Sequence, residues 1–218
     1  MWGDIDIYII SVNVGKKTVI PRLGGGNLTT GINKQPVSNA VDVDELGLVD
    51  DNVCNTIHHG GLDQAVYLYR QEDYDYWSQV LEREIAPGTF GENLTVIGLP
   101  DPFLAVGDGI VFSDLRLQVT APRIPCNTLA SKMGDKLFPK KFISAALPGI
   151  YCRVLETGSV AAGESFTIEQ YDGDRISTVE FFKDWLGKMG TDDMRRYLDV
   201  PIDIRSRRAL IERLCKFD

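Results

Sequence analysis

Apolar and polar positions alternate in short runs along most of the chain. Runs with β-branched or alternating character recur at residues 5–14, 65–69, 93–97, 109–112, 115–120, 150–155 and 165–169. Turn residues such as Gly107-Asp108-Gly109 and Ser113-Asp114 separate them. Alternation sends successive side chains to opposite faces, and many short strands with turn punctuation predict a barrel or a sandwich. One helix interrupts the strands. Tyr74, Trp77 and Leu81 share a face at i, i+3 and i+7, behind Glu72, Asp73 and Asp75, whose charges suit a helix N-terminus. Further helical stretches are predicted around 127–133 and 140–147.

The pattern changes after Gly173. Ser177 and Glu180 have capping-box spacing ahead of Phe181, Phe182, Trp185 and Leu186. Thr191-Asp192-Asp193 reads as a second helix start. A third helix is predicted from Asp203 to about Lys216, with Ile204, Ile211 and Leu214 at helical spacing. These residues are too few for a confident core of their own. The organisation expected is therefore a β domain over 1–172 and a three-helix extension over 173–218. The aromatic tail is expected to pack on the β domain or on a second copy of the chain, so a homodimer is left open.

Composition narrows the function classes. Hydrophobic residues make up 44% and charged residues 25% of the 218, an ordinary globular mix. No apolar run approaches the ~20 residues of a membrane helix. The first six residues carry acids where a secretory leader carries bases, so a cytoplasmic protein is expected. A net charge of −8 argues against a nucleic-acid polymer as partner. The charge is uneven: residues 121–153 hold six bases and one acid, which sets that window at +5 and the remainder at −13. A basic island in an acidic chain suggests a local anion site, although most of its lysines are expected to be solvated.

Four cysteines, at 54, 126, 152 and 215, lack CxxC pairing, so a disulfide framework is not expected and a buried apolar role is the default. Cys126 stands apart because it ends Pro122-Arg123-Ile124-Pro125-Cys126, directly after a predicted strand. The prolines stiffen this loop, and a nearby cation lowers a thiol from its usual value of about 8.5 towards a reactive or metal-ligating thiolate. The only two histidines are adjacent, in His58-His59-Gly60-Gly61. On an extended segment they face opposite ways and cannot easily share a metal; one of them is a candidate proton donor or anion ligand. A zinc site from Cys54, a histidine and distant cysteines lacks ligand spacing. Gly31-Ile32-Asn33-Lys34-Gln35-Pro36-Val37 can present amides and a lysine to an oxyanion. Gly88-Thr89-Phe90-Gly91-Glu92-Asn93-Leu94-Thr95 reads as a turn entering a strand.

Taken in order, these segments resemble the MOSC family, in its bacterial stand-alone, YiiM-like branch. The match runs through the lysine loop, His59-Gly60-Gly61 with Ala65 and Tyr69, the helix with Tyr74 and Trp77, Gly91-Glu92-Asn93-Leu94, Gly107-Asp108 and Pro122 to Cys126. The helical tail resembles the extension of that branch. One departure is visible: Asp50-Asp51 stands where the family pattern has Gly-Asp before the histidine.

The resemblance implies a mainly β fold, a β-barrel with a few helices and a C-terminal three-helix appendage. It implies a molybdenum cofactor (molybdopterin) with Cys126 as metal ligand, and an oxidoreductase that reduces N-hydroxylated bases such as 6-hydroxylaminopurine. By that similarity Cys126, His59 and Lys34 would be catalytic, His59 supplying a proton and Lys34 a fixed positive charge. Arg123, Lys34, Gly60, Gly61 and Asn93 would join Cys126 in binding the cofactor. Electrons would come from a separate flavoprotein, since the chain shows neither a dinucleotide fingerprint nor iron–sulfur spacing. Two other classes remain open: a sulfur carrier with a persulfide on Cys126, and a non-catalytic sensor of an anionic metabolite.

Overall fold

The computed structural model describes residues 7–99 and 104–216. The acidic start of the chain, and the first two residues of the strand expected from residue 5, lie outside them. The described strands are β1 (Tyr8–Gly15), β2 (Thr18–Pro21), β3 (Asn27–Thr30), β4 (Lys34–Val37), β5 (Val41–Asp44), β6 (Gly47–Leu48), β7 (Val66–Arg70), β8 (Leu94–Ile97), β9 (Gly109–Val111), β10 (Arg116–Pro122), β11 (Ile150–Glu156), β12 (Gly158–Val160) and β13 (Thr167–Glu169). Six helices accompany them: α1 (Gln71–Val80), α2 (Asn127–Met133), α3 (Phe138–Ala145), α4 (Thr178–Leu186), α5 (Thr191–Leu198) and α6 (Ile204–Leu214). Among the described residues, no helix is long and apolar enough to cross a membrane.

Eight strands form one sheet in the order β13-β9-β10-β11-β7-β8-β1-β4. All neighbours are antiparallel except β7 and β8, which run parallel. Parallel neighbours need a crossover, and α1 lies in it. The outer edge of β1 is shared. Its second half pairs with β4, while Tyr8 bridges Ser165 and the Ile9 amide donates to Glu164 O at 2.9 Å. The segment entering β13 thus returns from the far side of the sheet to β1. Among the described residues a closed barrel is nevertheless not found: β13 and β4 remain the two ends of the strand order, joined to each other by no ladder.

Period-two alternation builds two cores on opposite faces. On β7, Val66 and Leu68 join an aliphatic cluster with Ile9, Val12, Leu94 and Val119, while Tyr67 and Tyr69 join an aromatic one. On β11, Cys152 belongs to the aliphatic cluster and its neighbour Tyr151 to the aromatic one. The aromatic cluster collects Trp77 of α1, Phe138 and Phe142 of α3, and Phe181 and Phe182 of α4. The Phe142 and Phe182 rings lie 6.3 Å apart, edge to face. The three C-terminal helices therefore add to a cluster that the sheet already carries.

The helix starts follow their caps. Ser177 Oγ accepts the Glu180 amide at 3.0 Å, and Asp203 accepts the amides of Arg205 and Ser206 at the start of α6. The face expected for α6 is corrected: Ile204 and Ile211 are exposed, and Leu210 is the residue turned inward. Leu186 is likewise exposed, whereas Phe181 and Phe182 are buried.

Candidate functional site

At the end of β10 the chain passes through Pro122 to Cys126, which caps α2 with an extended backbone. Burial alone would push the Cys126 thiol up. A hydrogen bond from His59, the charge of Arg123 and the Leu129 amide outweigh it and bring the thiol from 9.0 down to about 6. The contrast is Cys152, fully buried among aliphatic side chains, whose thiol burial pushes up. Two cysteines of one chain are therefore set to opposite chemistry by their surroundings.

Arg123 is buried and lies over the Tyr67 ring, 5.1 Å from its centroid. Its Nη1 donates to the Phe90 carbonyl, and its Nε has no partner among the described residues. Burial works against its charge, yet Tyr151, Tyr67 and Cys126 beside it hold the guanidinium above its ordinary range. Of the basic island, Lys132 also turns inward, donating to Ile32 O at 2.8 Å and Gly88 O at 2.9 Å. Burial, with Arg123 and Lys34 nearby, lowers it to about 8 against the pull of Glu92. Lys136, Lys140 and Lys141 are exposed, as expected of solvated helix-face residues.

The opposite wall is organised by Asp51. One carboxylate oxygen accepts the Gly15 amide at 2.7 Å; the other accepts Lys34 Nζ and, at 3.0 Å, Asn93 Nδ2. Lys34 and Asp51 are both buried, so the positive charge expected at Lys34 is present but already paired. Burial lowers the Lys34 pKa, opposed chiefly by Asp51. Asp50 holds φ 67°, a left-handed backbone that non-glycine residues rarely adopt. Gly31 permits a close crossing beneath this wall, where an added Cβ would overlap the Asn52 carbonyl.

His59 lies on a turn rather than an extended strand, so strict alternation does not govern the pair. It is half-buried and lines the cleft, whereas His58 is exposed and does not. The turn is held from α6. Arg205 donates to the carbonyls of Ile57 at 3.0 Å, Gly60 at 2.9 Å, Thr56 at 3.0 Å and His59 at 3.3 Å. Asp63, just beyond the turn, accepts the Ile204 amide at 2.7 Å and pairs with Arg153 at 3.1 Å.

Lys34, His59, Gly60, Asn93, Arg123 and Cys126 line one cleft of about 720 Å³, open solvent included. Gly61 does not; it is exposed beside Arg205. Asp51, Gln64 and Tyr151 also line the cleft and were not singled out from sequence. Tyr151 was hidden inside an ordinary strand run. Asp51 carried a faint signal, its place in the Gly-Asp position of the family pattern. Among the described residues no three His, Cys, Asp or Glu side chains gather to hold a metal ion. The arrangement offers instead a single ionised thiol, a hydrogen-bonded imidazole and a buried guanidinium around one polar cleft.

The sequence model of the MOSC domain matches residues 55–167. The chain is 36% identical to the uncharacterized protein YflK of Bacillus subtilis (strain 168), over 79% of this chain and 77% of that protein. It is 30% identical, over 66% of its length, to a protein of Gibberella moniliformis named "Reductase", of which the match spans 26%. The crystal structure of YiiM from Geobacillus stearothermophilus superposes with a TM-score of 0.80 at 27% identity, covering 95% of this chain and 99% of that one.

Proposed function

Because the chain belongs to the MOSC domain family, we propose that it is an oxidoreductase that holds a molybdenum cofactor through Cys126 and reduces N-hydroxylated compounds. The observation that carries this reading is the Cys126 thiol, brought to about 6 at the mouth of a polar cleft rather than stored in a core. The fungal relative named a reductase supports the reaction class.

The residues present fit the cofactor. A thiolate is an anionic, strongly electron-donating ligand, and a single one suffices for a metal that arrives with other ligands of its own. Arg123, buried and with an unpartnered Nε, offers a donor to an anionic group, and the Asn93–Asp51–Lys34 wall offers further polar contacts. When bound, the cofactor supplies the exchange of two electrons. The chain's own residues bind, orient and handle protons. His59, hydrogen-bonded to Cys126, would protonate the departing hydroxyl, a task for which enzymes use histidine most often. The balance is one N-hydroxylamine, two electrons and two protons giving one amine and one water. A separate flavoprotein supplies the electrons.

The test is molybdenum content and 6-hydroxylaminopurine reduction with a flavoprotein donor, in protein from a host that makes the cofactor. Wild type should carry molybdenum and turn over; Cys126→Ser should lose both, and Cys215→Ser neither. His59→Ala should keep the metal and slow turnover by about 10²–10⁴, the range for a lost general acid. His58→Ala, outside the cleft, should keep the metal and be milder than His59→Ala. Equal molybdenum in wild type and Cys126→Ser would sink the assignment. The same ionised thiol also suits a persulfide-bearing sulfur carrier, which predicts no turnover and a labile extra sulfur mass that vanishes with Cys126.

A further inference from the structure

Cys126 and His59 belong to two cavities, not one. Besides the polar cleft, a recess opens on their other side, between the loop 121–126 and the helices α4 and α6. It encloses about 1040 Å³ with its open mouth. Cys126, His59, Gln64 and Tyr151 line both spaces and form the wall between them.

The two sides differ in chemistry. The cleft presents Lys34, Asp51, Asn93 and Arg123. The recess presents Phe181 and Trp185 from α4, Ile124 and Pro125 from the loop, His58 from the histidine turn, and Asp203, Arg205 and Ser206 at the start of α6. Phe181 meets Trp185 edge to face at 5.8 Å, and Arg213 sits over the Trp185 ring at 4.7 Å, so the indole is held on two sides. Asp203 is 1% exposed. Its Oδ1 caps α6, and its Oδ2 is buried with no hydrogen-bond partner among the described residues. Unpaired buried acceptors are rare in native proteins, and the residue that carries this one borders a recess large enough for a small molecule.

We infer that this recess, built by the C-terminal helices, is the subsite for the organic substrate, and that it selects a flat ring bearing N–H donors. The inference rests on the reductase reading above and assigns the substrate to the side of Cys126 opposite the Lys34–Asp51 wall. The ring lies against Trp185, which is half-buried with Phe181 packed behind it, and an indole favours stacking with planar π-systems. An N–H on its edge donates to Asp203 Oδ2, which the ligand reaches by a small shift of the side chains that cover it. The N–O group then points towards Cys126 and His59, which face both spaces, so that a cofactor held on Cys126 would supply the electrons there and His59 the proton. An N-hydroxylated compound without a ring finds no stacking partner and gains nothing from the recess.

Asp203→Asn separates this role from folding. Asparagine is as good a helix cap as aspartate, so the cap oxygen remains while the free acceptor becomes a donor. The experiment compares two compounds, 6-hydroxylaminopurine and N-methylhydroxylamine, with wild type, Asp203→Asn and Trp185→Ala. Ring binding is measured by calorimetry, turnover on the metal-loaded protein. Each variant should weaken binding of 6-hydroxylaminopurine by tenfold or more and raise its KM similarly, with kcat changed little. Turnover of N-methylhydroxylamine should stay at the wild-type level. Unchanged binding of the purine in both variants would overturn the inference, as would an equal loss for both compounds. If the protein reduces neither compound yet binds the purine through Asp203 and Trp185, the reductase reading falls and the subsite stands. Turnover of both compounds that ignores Asp203 and Trp185 leaves the reductase reading in place and removes the subsite.

Discussion

Arg205 and His59 join α6 to the turn that follows β6: the Arg205 guanidinium donates to the His59 carbonyl at 3.3 Å. The same side chain takes the carbonyls of Thr56, Ile57 and Gly60, so one residue of α6 sets the shape of the histidine turn. A turn without strand neighbours depends on such contacts for its conformation.

Arg205→Ala should therefore loosen the turn while leaving the thiol loop intact. Amides of residues 56–60 should exchange with solvent faster, and turnover should fall by tenfold or more, since small misplacements of a reacting group are that costly. Molybdenum content should be retained. Arg205→Lys should restore little, because an ammonium cannot span four carbonyls as a planar fork does. Unchanged exchange in the turn would show that it is held by other contacts.

Cys126 should titrate near pH 6 in cofactor-free protein. Its alkylation rate by iodoacetamide, followed against pH, should have its midpoint about three units below the ordinary thiol value of 9.0. His59→Ala should move the midpoint up, because the largest opposing interaction is lost. The sign for stability follows. The folded-state value lies below the unfolded one, so the ionised thiol stabilises the fold fully above the unfolded value. That contribution is lost as pH falls through about 6. A midpoint near 9 in wild type would contradict the His59 and Arg123 contacts.

The Lys34–Asp51 pair is buried on both sides, so removing one partner should cost more than removing both. Breaking a buried pair typically costs about 3–5 kcal/mol through the charge left behind. Lys34→Met should fall in that range by urea unfolding, and Lys34→Met with Asp51→Asn should be less destabilised than the single-site losses summed. Additive losses would mean that the pair does not couple.

Phe182 is 1% exposed and packs against Phe142. Phe182→Ala should destabilise the whole protein by about 3–5 kcal/mol, in a single transition, if α4 and the sheet share one core. Chain cut before Ser177 should expose the aromatic cluster and aggregate. A soluble and equally stable truncated chain would show that the helices are independent of that cluster.

Local pattern made several elements legible. Period-two runs marked β7, β8, β9, β10, β11 and β13, because a strand buried on one or both faces writes its alternation into the sequence. The face of Tyr74 and Trp77 marked α1, and Ser177 and Asp203 marked two helix starts. The short strands β2, β3, β4, β5, β6 and β12 were not legible; β4 lies in what reads as the lysine loop, and the β2–β3 hairpin and the small sheet of β12, β5 and β6 carry no long buried run. The altered face of α6 arose because helical spacing alone admits more than one rotation, and packing of Leu210 chooses one.

At the site, the sequence by itself determined the chemistry available: a stiff loop with Arg123 and Cys126, an adjacent histidine pair, a lysine loop and an acidic chain with one basic window. Only the tertiary structure decided how these groups are used. It paired Lys34 with Asp51, left His58 outside the cleft, turned Cys152 into core and Cys126 into a thiolate, and set Arg205 on a turn 145 residues away in the chain. The reason is range. Periodicity and caps report on neighbours within a few residues, whereas desolvation and hydrogen bonding depend on whatever distant segment the fold brings alongside.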